Sequence, residues 1–191
     1  MWKYDGKIIR EGSSWTDSNG IQHPSNWHIW SKSEKEDAGM TEVNPEAPPD
    51  SRLYTWNYAA DSVTIEKTAK SLTDVGQTDD SGNPIKDSDG NQIMDDGVKT
   101  ALKQEVKAQQ YRKLAETDWA IVRKADKGTA IPSNIQTYRD AIRTEATAME
   151  NAIDDASDTD AVAALFLKHT TDGDGNRTKT GVLYDWSKLD N

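Results

Sequence analysis

Two aspartate-rich loops are the first places in this chain where residue type and spacing suggest chemistry. A calcium loop needs oxygen ligands at alternate positions, then a glycine, then a closing glutamate. Counted from Asp172, the ligand positions Asp172, Asp174 and Asn176 fit, but the glycine position holds Arg177 and the closing position Leu183. Counted from Asp87, Asp89 and Asn91 fit, and then come Gln92 and Val98. Both loops therefore read as turns, where Asp, Asn and Gly serve the backbone. His23 and His28 lie five apart beside Trp27, and His169 is remote. A zinc site would need a third and usually a fourth ligand at recognisable spacing. Neither a GxxxxGK phosphate loop nor a GxSxG nucleophile elbow occurs. Many Asp and Glu are on hand for a hydrolase that works through an acidic pair, yet no spacing singles out two of them. The residues thus point to no metal, no cofactor and no catalytic group, and the chain reads as non-enzymatic.

What remains is a set of contact residues, Trp119, Tyr138, Arg139 and Arg143. One reading makes Trp119 and Tyr138 core residues that join two helices, with both arginines on the solvated face. The other makes the four a partner-binding surface. Arg139 and Arg143 are one turn apart, so they would form a small basic patch suited to a carboxylate or to the exposed C-terminus of a partner helix. The two readings are compatible.

Those residues need helices to hold them. From Val98 the apolar spacing becomes helical: Val98, Leu102 and Val106 recur every four residues, with Tyr111 and Leu114 completing a stripe. The pattern predicts a helix over 98–115. A second, over 118–127, starts at Thr117 or Asp118, carries Arg123, Lys124 and Lys127 toward its negative end and stops at Gly128. Pro132 and Ser133 open a third, with Gln136 as reciprocal partner in a capping box. Its stripe is Ile135, Tyr138, Ile142, Ala146, Met149 and Ile153. A short helix follows in DTDAVAALFLKHT, then a turn, a strand and a tail.

The N-terminal part carries strand signals instead. Asp5-Gly6 sits between two runs of β-forming residues, and Asn19-Gly20 repeats the device among Trp15, Trp27 and Trp30. SKSEKEDAG offers Ser31 with Glu34, or Ser33 with Glu36, as a capping box, and Gly39 as a left-handed stop. Two strands flank 59–62, and the face carrying Tyr54, Trp56 and Tyr58 is expected to pack on Trp27 or Trp30. Residues 73–97 hold seven Asp against Lys86 alone, and read as an acidic linker or an extended hairpin arm. Within them DDSGNPI and DSDGNQI form a short internal echo.

The fold class that results is α+β: a small β-rich domain over 1–72, the acidic segment 73–97, a helical hairpin or bundle over 98–169, and a C-terminal turn, strand and tail over 170–191. Composition narrows the function. With 23 basic and 33 acidic residues the net charge is −10, which argues against nucleic acid as a partner. No Cys is present, so disulfides and thiolate metal sites are excluded. The longest apolar run, 161–167, is far short of the ~20 residues that span a bilayer, so no membrane partner is expected. The first residues lack the apolar core of a signal peptide, and synthesis in a cytoplasm is the simplest expectation.

The pattern Thr117-Asp118-Trp119, a turn with Pro132, then Tyr138-Arg139-Asp140-Ala141-Ile142-Arg143 resembles the bacteriophage tail assembly chaperone family, met also in tail-fibre assembly proteins. The likeness covers about a quarter of the chain. It implies a small helical module behind a β-rich region, phage tail or fibre proteins as partners, and the host cytoplasm during assembly as the place of action. Family members often close with a Trp-Pro segment, whereas this chain ends Tyr184-Asp185-Trp186 and inserts a helix near 160–168. The alternative expectation is a permanent virion subunit of a fibre, baseplate or decoration, forming a homo-oligomer in which the stripe from Ile135 to Ile153 pairs between chains.

Overall fold

A computed structural model describes residues 1–189. The chain forms two compact units, Met1–Ala69 and Lys70–Asn191, and is an α+β protein with its strands in several small sheets.

In the first unit, β1 (Trp2–Tyr4) and β2 (Lys7–Ile8) form a hairpin closed by Asp5 and Gly6, both at positive φ, 47° and 74°. Two consecutive left-handed residues make the turn whose twist matches the strands, which is why Asp-Gly is effective there. β3 (Trp15–Thr16) and β4 (Gln22–His23) make a second hairpin, and Trp27 lies in a 3-10 turn over Trp27–Ile29. α1 (Lys32–Asp37) has the expected Ser31–Glu34 capping box. β5 (Thr41–Glu42) then adds to β1, giving the order β2-β1-β5. β6 (Tyr54–Tyr58) and β7 (Ile65–Ala69) pair across a turn in which the Asp61 carboxylate accepts N–H bonds from Val63 and Thr64. The core is small: Trp27, Met40 and Leu53 are buried, with the Trp27 indole donating to the Ser13 carbonyl at 3.0 Å. One expectation fails here. The aromatic face of β6 is not covered, because Trp56 and Tyr58 are both 37% exposed and stack edge to face on each other. A two-stranded ribbon has no second layer to bury such a face.

The second unit opens with the acidic segment, which is folded back on itself. β8 (Val75–Gly76) pairs with β9 (Met94–Asp95). Between them Gln77, Ile85 and Ile93, spaced by eight, close a ring of backbone bonds: Ile85 N to Gln77 O, Ile93 N to Ile85 O, and Gln77 N to Ile93 O, at 2.8–3.0 Å. Each eight-residue step is one Asp turn. In the first, Asp79 Oδ1 accepts from Ser81 N and Asn83 N; in the second, Asp87 Oδ1 accepts from Asp89 N and Asn91 N. The internal echo in the sequence is thus a repeated turn whose two copies share hydrogen bonds.

The arm is anchored to α2 (Val98–Ala115). The Ser71 and Leu72 carbonyls accept from Val98 N and Lys99 N, and Asp74 Oδ1 accepts from Gly97 N. Those are the N–H groups that a helix start leaves without partners. Gly97 permits the approach, since a Cβ there would lie 2.3 Å from the Thr73 carbonyl carbon. α3 (Asp118–Lys127) ends at Gly128, φ 66°, and α4 (Ser133–Asp155) follows. α2 and α4 run antiparallel: Lys99 and Lys103 of α2 reach the Asp154 carbonyl and carboxylate near the end of α4, while Arg139 near its start reaches the Leu114 carbonyl. Val98, Leu102 and Val106 on one side meet the α4 stripe, every residue of which from Ile135 to Ile153 is buried. The α4 stripe is therefore used within the chain and not presented to a second copy. Two details depart from expectation. Tyr111 is 74% exposed, beyond the reach of the stripe, and the capping box at α4 does not form, because Gln136 donates to Asp140 instead.

α5 (Thr159–Leu165) is capped by the Asp158 side chain, and β10 (Lys168–Thr171) pairs with β11 (Arg177–Thr180) across a further Asp turn at Asp172. The tail then crosses the helix pair. Leu183 is fully buried, Tyr184 Oη donates to Glu105, the Trp186 indole donates to Gln109 Oε1 at 2.8 Å, and Ser187 N donates to Glu145 at 2.9 Å. Among the described residues no helix is long and apolar enough to cross a membrane.

Candidate functional site

The motif residues converge on the α2–α3 turn, and Arg139 holds it. One guanidinium nitrogen, Nη1, donates to the Leu114 carbonyl, Thr117 Oγ1 and Asp118 Oδ1, each at 2.8 Å. Two hydrogens serve three acceptors, so one is shared, and the charge offsets the weaker geometry. Thr117 is buried, 1% exposed, and its hydroxyl also donates to the Leu114 carbonyl at 3.0 Å. The Leu114 carbonyl near the end of α2 thus accepts from the Arg139 guanidinium, the Thr117 hydroxyl and the Thr117 N–H, the last at 3.1 Å.

Arg139 is therefore not on the solvated face. It is 6% exposed, whereas Arg143, one turn on, is exposed and pairs with Asp140 at 3.0 Å. The expected two-arginine patch does not form, because the α2–α3 turn covers the first turns of α4 and stops short of Arg143. Tyr138 is buried, 6% exposed, beside a cleft lined by Ser133, Asn134, Thr137 and Ser187. Loss of solvent, then the nearby Glu116 and Glu145 carboxylates, push its phenol above the usual tyrosine range.

Trp119 behaves in the opposite way. Its ring is 52% exposed, with the Arg123 guanidinium 5.1 Å from the ring centroid. Val122 at 65% and Ile121 at 38% exposure continue the apolar surface, while Ala120 is the one buried residue of α3. The core reading of Trp119 is thus corrected. A ten-residue helix that buries a single alanine contributes little to the core, and its apolar side chains face water. Ile121 and Val122 had no place in the sequence reading. The signal for them is that α3 has no apolar stripe repeating over three turns, so its hydrophobic residues lack an internal destination.

The aspartates considered for calcium are occupied by backbone. Asp172 Oδ1 accepts from Asp174 N and Asn176 N, as Asp17, Asp79 and Asp87 do in their own turns. Those N–H bonds hold the Asp79, Asp87 and Asp172 carboxyls below the usual range. Among the described residues no three His, Asp or Glu side chains cluster as a metal site would require. His23 stacks on Trp15 at 4.0 Å and meets Asp17 at 3.3 Å, a packed arrangement within the first unit.

No protein-family model matches the chain, and no curated protein or solved structure is significantly similar to it.

Proposed function

We propose that this chain is a non-enzymatic bacteriophage tail or tail-fibre protein that acts through protein–protein contacts in fibre assembly or attachment, with α3 as the contact element. The observation that carries the contact reading is Trp119, a large aromatic 52% exposed on a helix whose base is fixed by the Arg139 clasp. Aromatic side chains flanked by arginine are the residue types that dominate binding energy at interfaces. The phage context rests on the likeness of Thr117-Asp118-Trp119 and the YRDAIR segment to the tail assembly chaperones. Within that likeness Thr117, Asp118 and Arg139 work as a folding clasp, Tyr138 packs inside, and Trp119 is left to meet a partner.

The test is co-expression with the tail-fibre protein of the source phage. Trp119→Ala should leave folding intact and weaken recovery of the fibre protein at least tenfold, whereas unchanged recovery removes α3 from the contact. A permanent virion subunit is the second reading, favoured by the arm, whose closed hydrogen-bond ring carries exposed apolar side chains that a particle component can dock. Quantitative peptide mass spectrometry on purified particles separates the two. A fixed symmetric ratio to the fibre protein marks a virion part, and absence from particles with abundance in the lysate marks an assembly chaperone.

A further inference from the structure

The second unit has two chemically opposite ends. α2 spans 18 residues, about 27 Å of helix. At its N-terminal end stands the arm, where residues 74–96 hold seven Asp against one Lys, a net charge of −6. The arm is also apolar on its surface: Val75, Ile85, Ile93 and Met94 are each 38–50% exposed. At the C-terminal end stands α3. Residues 112–127 carry five cations against three carboxylates, a net charge of +2 in a chain of −10, and one of those carboxylates, Asp118, is already paired with Arg139. Trp119, Ile121 and Val122 supply the apolar surface there.

From this polarity we infer that the occupant of the α3 surface is the acidic arm of a second copy of this chain. This gives the contact element proposed above an occupant that competes with the fibre protein, and it rests on that reading. Each end offers what the other lacks: exposed branched side chains and Met on an acidic arm, and an exposed aromatic under the Arg123 guanidinium on a basic helix end. Charge complementarity selects this pairing over arm to arm or α3 to α3, where like charges would meet. The route through the α4 stripe is closed, since that stripe packs on α2. The two surfaces lie at opposite ends of one helix pair, so the contact is head to tail and propagates into a ring or a short filament. An interface built from one hairpin arm and one ten-residue helix belongs to the small, transient class, with strong salt dependence.

The experiment is sedimentation velocity on the full chain across roughly 5–200 µM, at about 50 and about 500 mM NaCl. The wild type should associate at low salt and dissociate at high salt. Two charge variants sharpen the result, one cutting the net charge of the arm from −6 to −2 and the other turning residues 112–127 from +2 to −2. Asp80→Lys with Asp89→Lys alters exposed positions of the arm turns, whose bonds to backbone are made by Asp79 and Asp87. Arg123→Glu with Lys124→Glu alters α3. Each variant should fold, by circular dichroism and thermal melting; the α3 variant should remain monomeric, since −2 then faces −6, and the arm variant should associate more weakly than the wild type. An equimolar mixture of the two should form a dimer, since it restores one unaltered pair, the arm of the α3 variant with the α3 of the arm variant. A wild-type monomer at the highest concentration in low salt overturns the inference, and so does an α3 variant that still associates alone, an arm variant that associates as strongly as the wild type, or a mixture that stays monomeric. Should the wild type be monomeric while Trp119→Ala still costs recovery of the fibre protein, the second-copy partner fails and the contact role of α3 stands.

Discussion

α4 and α3 both carry apolar residues at helical spacing, and the protein treats them in opposite ways. α4 places six apolar residues at three-and-four spacing over 23 residues, and all six are buried against α2 and its neighbours. α3 has ten residues, buries Ala120 alone and leaves Trp119, Ile121 and Val122 at the surface. The difference is one of length. A stripe repeating over six turns commits a whole face to one neighbour, whereas three turns after a tight corner can satisfy their backbone without burying anything large. Residue type alone therefore does not assign a tryptophan to the core.

Substitutions rank the two helices. Ile142→Ala, at 0% exposure in the α4 stripe, should lower the unfolding free energy of the second unit by about 3–5 kcal/mol in a denaturant titration. A loss under about 1 kcal/mol would mean the stripe is not the core. Next comes the clasp between the helices. Arg139→Met removes three hydrogen bonds and takes from the buried Thr117 hydroxyl its guanidinium donor, costing about 1–3 kcal/mol, with the Leu114 carbonyl still served by Thr117 and Asp118 half exposed, so both less affected. Amide exchange should then rise through α3 before it rises in α4, and equal rates would break the idea that the clasp serves α3. Trp119→Ala should cost less than about 1 kcal/mol, since half of its ring is already in water. A loss of ~3–5 kcal/mol would restore it to the core.

The smallest effect is local and set by pH. Thr64 and the backbone N–H groups of Val63 and Thr64 hold the Asp61 carboxyl at about 2, against an ordinary value of 3.8. Asp79 and Asp87 are lowered in the same direction by their own turn N–H groups. A depressed folded pKa means the stabilisation is present above the unfolded value and is lost as pH falls through the folded one. Acidification from about 4 to about 2 should therefore loosen these turns, read as faster exchange at Val63, Asn83 and Asn91 N–H while α4 stays protected. Uniform exchange across turns and α4 would show that the carboxylates do not hold the hairpins.

Much of this architecture is written locally. Capping and stop residues set α1 and α3, because Ser31 with Glu34, Gly39 and Gly128 act on their own neighbours, while the apolar period sets α2. Asp-Gly and Asn-Gly steps place the N-terminal hairpins for the same reason. The α4 stripe is legible because its period repeats. The site was less so. Arg139 and Arg143 share a helix face, so local pattern treats them alike, and only the α2–α3 turn folding over one of them makes the first a buried clasp and the second a surface ion pair.

Composition and spacing alone determine that this is an acidic α+β chain with a helical pair behind small hairpins, since propensity, capping and periodicity act over a few residues and need no distant partner. Tertiary structure alone decided three things. It closed the acidic segment into a ring of hydrogen bonds across Gln77, Ile85 and Ile93, it drew the tail over α2 and α4 through Tyr184, Trp186 and Ser187, and it turned Arg139 inward while leaving Trp119 out. Each joins residues eight to 79 positions apart. Which of many available partners a side chain meets at such separations is settled by packing of the whole unit, not by any stretch of the chain read by itself.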